Sequence, residues 1–283
     1  MILLLLMIPY EIYSGSMEIV DRNKQIFKDT VEVHSEDFHL IAEEALQTDT
    51  AVFFRGNVGV KTKDFSLIAD CLNYKIPDGV IFGSGNIKIW REDTLKGDSM
   101  VFFKDKEEGK IIGNLIFISD SVRIKGESGD FSEDSVIIRG NPEFESPQIN
   151  VRSDYAIYVT KDSIYKFLSN VNFEASNIFG NCGKLIHNIE NQTSLLLDAP
   201  FILEDKDSIM GDSILVEHKS KLMKSFNGKV ITYSEDGRNI VWGDTINIFY
   251  NMESLDSVFV KGKSRGNFVK NEIESGKSNQ EIQ

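Results

Sequence analysis

An all-β fold, built as an array of about eight two-strand repeats with mostly antiparallel strands, is what this sequence predicts. Three observations predict it: a short pattern that returns every 27 to 32 residues, a slip in the apolar alternation at the same point of each copy, and turn chemistry between strands. The pattern is an aliphatic residue, any residue, a small residue, then usually an acid. Apolar or small side chains follow three and usually five places after the small residue. The small positions are Ala42, Ala69, Gly97, Gly126, Ser153, Gly180, Gly211 and Gly243. Two places earlier stand Leu40, Leu67, Leu95, Ile124, Val151, Ile178, Ile209 and Val241. Periods of this size mark arrays in which each unit buries its apolar face on its neighbours. The copies run from about residue 25 to 264 and argue for one elongated body in a chain of 283 residues.

Taken in order, the chain opens on an apolar run over residues 2–9, followed by Ser14-Gly15-Ser16. The run is too short for a bilayer, which needs roughly 20 residues. Residues 1–16 read as the apolar part of a secretory signal without its usual basic start, the alternative being a start that cuts into a longer signal or membrane anchor. Export follows, with membrane association through the N-terminus left open. Thr30-Val31-Glu32-Val33 mirrors Asn57-Val58-Gly59-Val60, so the array begins near Gln25 within a repeat domain over 17–264.

A specimen repeat spans 65–91: a strand around 67–75, a turn at Pro77-Asp78-Gly79, and a strand around 80–90. Proline presets φ and glycine accepts positive φ, while Val, Ile, Phe and Tyr on the flanks suit strands. Inside the first strand Leu67 and Ala69 share one parity and Leu72 and Tyr74 the other. The slip recurs at Leu95/Gly97 against Met100/Phe102, Val151/Ser153 against Ala156/Tyr158, and Val241/Gly243 against Ile246/Ile248. Strand side chains alternate strictly, so a phase change requires a bulge or bend that keeps both halves on the core. A small residue fits such a bend, and a strand folded over a corner lets two sheet halves face each other.

The second strand carries Gly56-Asn57, Gly85-Asn86, Gly113-Asn114 and Gly140-Asn141, with a softer Ser169-Asn170. These read as architectural turns or bulges. Lys261-Gly262-Lys263-Ser264 is a weak final echo, and the polar, aperiodic residues 265–283 read as a disordered tail. Insertions around 217–224 and 235–238 are expected to extend surface loops. Cys71 and Cys182 occupy equivalent positions four repeats apart, roughly 38 Å at two strands per repeat. A disulfide is excluded at that separation, and both are expected as free, buried thiols.

Leu67-Ile68-Ala69-Asp70 through Tyr74, then 80–89 with Gly85-Asn86-Ile87, followed by Leu95-Lys96-Gly97-Asp98 through Phe102 and Gly113-Asn114-Leu115, resemble the OstA-like repeat. That repeat occurs in the periplasmic lipopolysaccharide-transport proteins LptA and LptC and in the N-terminal part of LptD. The resemblance covers about 25–264. It implies an open β-jellyroll, or β-taco, whose apolar interior holds acyl chains. It also implies modules joined edge to edge as a slide between the inner and outer membranes. The soluble, exported LptA type is nearest, with an LptC-like role open. The implied partners are lipopolysaccharide or a related acyl lipid, inner-membrane LptC-type and outer-membrane LptD-type proteins end to end, and further copies of this chain.

Physical chemistry supports part of that expectation. A splayed two-layer array exposes an apolar trough that a ligand must cover, and each buried acyl CH₂ contributes about 0.8 kcal/mol. The candidate lipid-binding residues are Leu72, Tyr74, Ile87, Ile89, Met100, Phe102, Leu115, Phe117, Phe131, Phe144, Tyr158, Val171, Phe173, Leu185, Val216 and Ile248. Their alternative is simple core packing. Unpaired edge strands at the two ends invite head-to-tail assembly.

Net charge of −13 disfavours nucleic acid as a partner, because phosphates are gripped by clustered Lys and Arg. No catalytic residue, metal site or cofactor is expected. His34, His39, His187 and His218 are scattered, and the first two read as satisfied surface residues. The recurrent acids Glu43, Asp70, Asp98, Glu127, Asp154, Asp212 and Asp244 supply too few oxygens for calcium and are expected to bond backbone groups at the bend. The competing function is structural: a β-solenoid or surface-adhesion repeat protein.

Overall fold

The computed structural model describes residues 11–21, 23–36, 38–147, 149–175, 178–250 and 255–270. Their regular structure is 26 strands and one 3-10 turn, Lys104–Lys106. Strand pairings are antiparallel throughout these residues, for example Ser66–Lys75 on Val80–Trp90 and Leu222–Ser234 on Gly237–Tyr250. The fold is all-β, as the repeat predicts. A parallel coiling stack is incompatible with this pairing, so the solenoid alternative fails. The chain divides into two compact units, Met1–Phe173 with Asn188–Glu190, and Glu174–His187 with Asn191–Gln283.

The bent strand is the building block of the first unit. Residues 51–55 of strand Ala51–Thr62 pair with 71–75, and residues 58–61 pair with 66–69, with a register shift between the two stretches. Strand Ser66–Lys75 repeats the division against Val80–Trp90, and Thr94–Phe103 against Glu108–Ser119. Every long strand therefore serves two sheet halves, one on each side of its bend. Where the bend is sharper the strand breaks in two. Phe38–Ala42 and Glu44–Thr48 flank Glu43, yet both pair with Ala51–Thr62.

The core lies between these halves. Leu67, Ala69, Leu72 and Tyr74 are all buried, so the slip in alternation marks the bend as expected. Aromatic rings join the halves: Phe117 meets Tyr158 at 5.2 Å between centroids, and Phe144 meets Tyr165 at 5.2 Å and Phe167 at 5.1 Å. Burying each such ring is worth about 1.5–3 kcal/mol from the hydrophobic effect alone.

In the second unit, residues 178–181 pair with strand Phe201–Glu204, and Thr193–Leu197 pairs with Ser213–Glu217. Strand Leu222–Ser234 then pairs along its whole length with Gly237–Tyr250. That hairpin corrects the expectation of enlarged loops. Ser234 opposes Gly237 across a two-residue turn, so the insertion near 235–238 has lengthened the strands to 13 and 14 residues. The turn at 218–221 is four residues, like that at 76–79, so it too adds strand rather than loop.

Both ends of the array depart from the sequence reading. Strands Glu11–Tyr13 and Ser16–Asp21 lie ahead of Gln25 and pair with Val31–His34 and Lys24–Lys28. At the other end Arg265–Lys270 is a strand on residues 237–242, added through backbone pairing while Phe268 and Val269 stay exposed. The expectation of disorder from 265 is corrected for these six residues; the remainder of that stretch, and residues 1–10 of the signal-like segment, fall outside the described residues. No helix among the described residues is long and apolar enough to cross a membrane.

Candidate functional site

The interior is positioned by the bend, and the bend is fixed by a ladder of amide–carboxylate pairs. Gly85 and Asn86 both have positive φ, +73° and 51°, and a Cβ on Gly85 would sit 2.1 Å from Asp70 Oδ2. Only glycine accepts that combination without strain. The Asn86 amide donates to Asp70 at 3.0 Å, Asn57 to Glu43 at 2.7 Å, and Asn114 to Asp98 at 2.8 Å. Asn170 donates to Asp154 at 2.8 Å, and in the second unit Asn227 to Asp212 at 2.8 Å. Glu43, Asp70, Asp98, Asp154 and Asp212 thus accept from a side chain of a following strand, which corrects the expectation of backbone partners for these five. Asp244 keeps to it, accepting from the Lys263 N–H at 3.0 Å.

Outside this bend in the first unit runs a cleft of about 440 Å³ lined by Asp70, Asp98, Asn86, Lys88 and Lys96 among others. Its charges are of both signs, and the Asp70 and Asp98 carboxylates already accept from Asn86 and Asn114. Cys71 faces outward here and is exposed, correcting its expected burial: Ala69 and Leu72 turn inward on either side of the register shift, leaving Asp70 and Cys71 outside. Cys182 is buried as expected, and burial raises its thiol pKa to about 11. Both thiols are free.

Of the candidate lining residues, Leu72, Tyr74, Ile87, Met100, Phe102, Leu115, Phe117, Phe131, Phe144, Tyr158, Val171, Phe173, Leu185, Val216 and Ile248 are buried. Ile89 is half-buried, since it stands beside Trp90 at the end of its strand. The structure brings these side chains onto each other: Phe102 stacks near Phe131 at 6.2 Å, and Phe117 is 0% exposed. Inward placement is established by burial. Contact with lipid is a separate matter, because these positions fill the space between the halves with their own side chains.

The rims of the two units carry polar groups that sequence spacing did not reveal. In the first unit Asp93 and Ser119, at hairpin tips of one half, lie beside Tyr158 and Tyr165 of the other. Burial raises the Asp93 pKa, with the Ser119 hydroxyl opposing that rise. Burial also raises the pKa of Tyr158 and Tyr165, again opposed by Ser119. The Tyr165 hydroxyl is shut off from solvent and has no protein hydrogen-bond partner of good geometry. Such an orphan costs roughly 1–3 kcal/mol.

In the second unit the buried Ser194 hydroxyl lies 2.9 Å from His187 Nδ1 and 2.8 Å from His218 Nε2. Ser194 shares its face with Val216, its cross-strand partner, so the cluster belongs to the inner face. Burial lowers the His187 pKa to about 4, with the His218 charge adding to the effect. The only sequence signal for either cluster was a polar residue falling on an inward parity, and that becomes visible only once the pairing is known.

No family model matches the chain, and no curated protein matches its sequence. Among solved structures it is similar to LptH, the LptA-homologous periplasmic component of the lipopolysaccharide transport device from Pseudomonas aeruginosa. The two are 15% identical, the match covers 34% of this chain and 76% of that one, and the TM-score is 0.32. At that score the question of function rests on the chain's own residues.

Proposed function

We propose that this chain is a non-enzymatic carrier of an acyl lipid of the lipopolysaccharide type, working in the periplasm and passing its cargo between inner and outer membranes. The observation that carries the proposal is the apolar register between paired halves. Repeat after repeat, the residues two apart on either side of each bend turn inward, so neighbouring repeats offer an acyl chain equivalent surroundings. Entry requires the halves to part at the rim. Contacts between side chains are then exchanged for contacts with the chain, an exchange that costs little because both partners are apolar. Parting of the halves would release the buried Tyr165 hydroxyl, which lies beside Ser119 when they are closed, to bond the headgroup region of such a ligand.

The terminal strands support end-to-end assembly. Strand Ser16–Asp21 pairs with Lys24–Lys28 and meets no other described strand, with Met17 55% and Ile19 63% exposed. Phe259 and Phe268 are likewise exposed on the last two described strands. Open edges with apolar side chains are templates for another chain. In this reading they receive LptC-type and LptD-type modules, or another copy.

A second reading, a structural scaffold with a permanently sealed interior, is favoured by the close burial of the lining residues. Mass spectrometry of the purified chain separates the two. The carrier reading expects co-purified acyl lipid, or uptake from lipopolysaccharide micelles at about one per chain. A chain that remains lipid-free after such incubation leaves the scaffold.

A further inference from the structure

We propose a divalent transition-metal site on the outer face of the hairpin of Val31–His34 and Phe38–Ala42, formed by Glu32, His34 and His39. The sequence scatters these residues, but antiparallel pairing of Val31–His34 with Phe38–Ala42 sets His34 directly opposite His39. Val31 and Val33 turn into the core, so Glu32 and His34 project outward together. One ligand atom from each of the three residues falls within 4.8 Å of the others. Glu32 Oε2 lies 3.0 Å from His34 Nε2 and 3.6 Å from His39 Nε2. A tetrahedral zinc ion with bonds of about 2.0–2.1 Å places its donors about 3.3 Å apart, midway between those two separations.

The donor set is chemically apt as well. Two imidazoles and one carboxylate suit zinc, copper or nickel and leave one position open, whereas calcium and magnesium ask for oxygen. Nε2 of His39 is screened from solvent and lacks a hydrogen-bond partner, a polar atom for which a metal ion would account. The rings of His34 and His39 stack at 4.3 Å, which already holds the two donors side by side. The surrounding charges are mixed. Lys61 stands opposite His39 on the neighbouring strand and opposes a cation. Glu11 stands opposite His34, with Tyr13 opposite Glu32, and the Glu11 carboxylate favours one. An ion here ties together the two strands of the hairpin beside the N-terminal edge, whatever ligand the interior carries.

The test is calorimetric titration of the metal-stripped full chain with Zn²⁺ at pH 7.5. The expected result is one saturable equivalent, weakened at least tenfold in His34→Ala and in His39→Ala and less in Glu32→Gln. Affinity should fall as pH is lowered, because imidazole must shed its proton to bind. These positions lie on the outer face, and circular dichroism checks that each variant folds. Side-chain NMR of the parent gives a second measurement, with the His34 and His39 ring signals shifting on Zn²⁺ addition while those of His187 and His218 stay in place. Absence of a saturable equivalent, or undiminished binding in the His34→Ala/His39→Ala double variant, overturns the site.

Discussion

At the rim of the first unit stands Asp93, a carboxyl whose pKa burial raises; at the rim of the second stands His187, an imidazole whose pKa burial lowers to about 4. Desolvation disfavours the charged form of both, so acid acts on them in opposite directions. Lowering the pH protonates Asp93, which its surroundings favour. It also charges His187 beside His218, which they oppose. The packing beneath the two rims differs too. Under the first, Phe117, Phe144, Tyr158, Tyr165 and Phe167 interlock as rings, while under the second Ser225 is buried between the aliphatic Ile214 and Ile246 of the flanking strands. One repeat pattern therefore yields an aromatic interior closed by phenols and a carboxyl, and an aliphatic one closed by histidines.

The sharpest way to break this contrast is to remove a ring. Phe117→Ala should cost about 3–5 kcal/mol, since it deletes a fully buried side chain and leaves a cavity. Urea unfolding followed by hydrogen exchange should place the loss in residues 108–167. A loss below 1 kcal/mol would mean that the aromatic interior is loosely packed.

Acid should act next. The folded pKa of His187 is depressed to about 4 against 6.5 for the free side chain, so the unfolded chain binds more protons between those values. Stability of the second unit then declines as pH falls from about 6.5 to about 4, by on the order of 3 kcal/mol in total. Asp93 has a raised folded pKa, so its contribution runs the other way: it is present at acid pH and is lost as pH rises. Segment-resolved hydrogen exchange at pH 7 and pH 5 should show the second unit loosening first. His187→Gln should flatten that response, and an unchanged pH dependence in this variant would remove His187 from the account.

Smaller effects belong to the bend, which both units share. Gly85→Ala forces a Cβ onto Asp70 at positive φ and should cost about 1–3 kcal/mol by thermal melting. Asp98→Ala removes only the acceptor of the Asn114 amide at the surface and should cost about 0.5–1.5 kcal/mol. Equal costs for the two would show that the carboxylates, rather than backbone conformation, set the bend.

The repeat and its slip made the strands, the bends and the inward positions readable, because alternation and small residues are local properties. The Gly-Asn marks were readable as turns, but their carboxylate partners lie 14 to 16 residues away on the preceding strand, as with Asn57 and Glu43 or Asn86 and Asp70. What escaped depended on pairing. His34 and His39 read as scattered until the hairpin set them opposite each other, and Ser119 meets Tyr158 and Tyr165 only when two halves close. Cys71 was misplaced because the register shift falls one residue before it, turning outward a position that simple equivalence with Cys182 placed inside.

A photo-reactive side chain introduced at Phe117, with a matched one at the outward-facing Phe53, interrogates the interior most directly. After incubation with lipopolysaccharide micelles and illumination, a carrier whose halves part for its cargo should give lipid adducts from position 117 and few from position 53. Adducts confined to position 53, or none at either, would contradict an interior that opens to acyl chains.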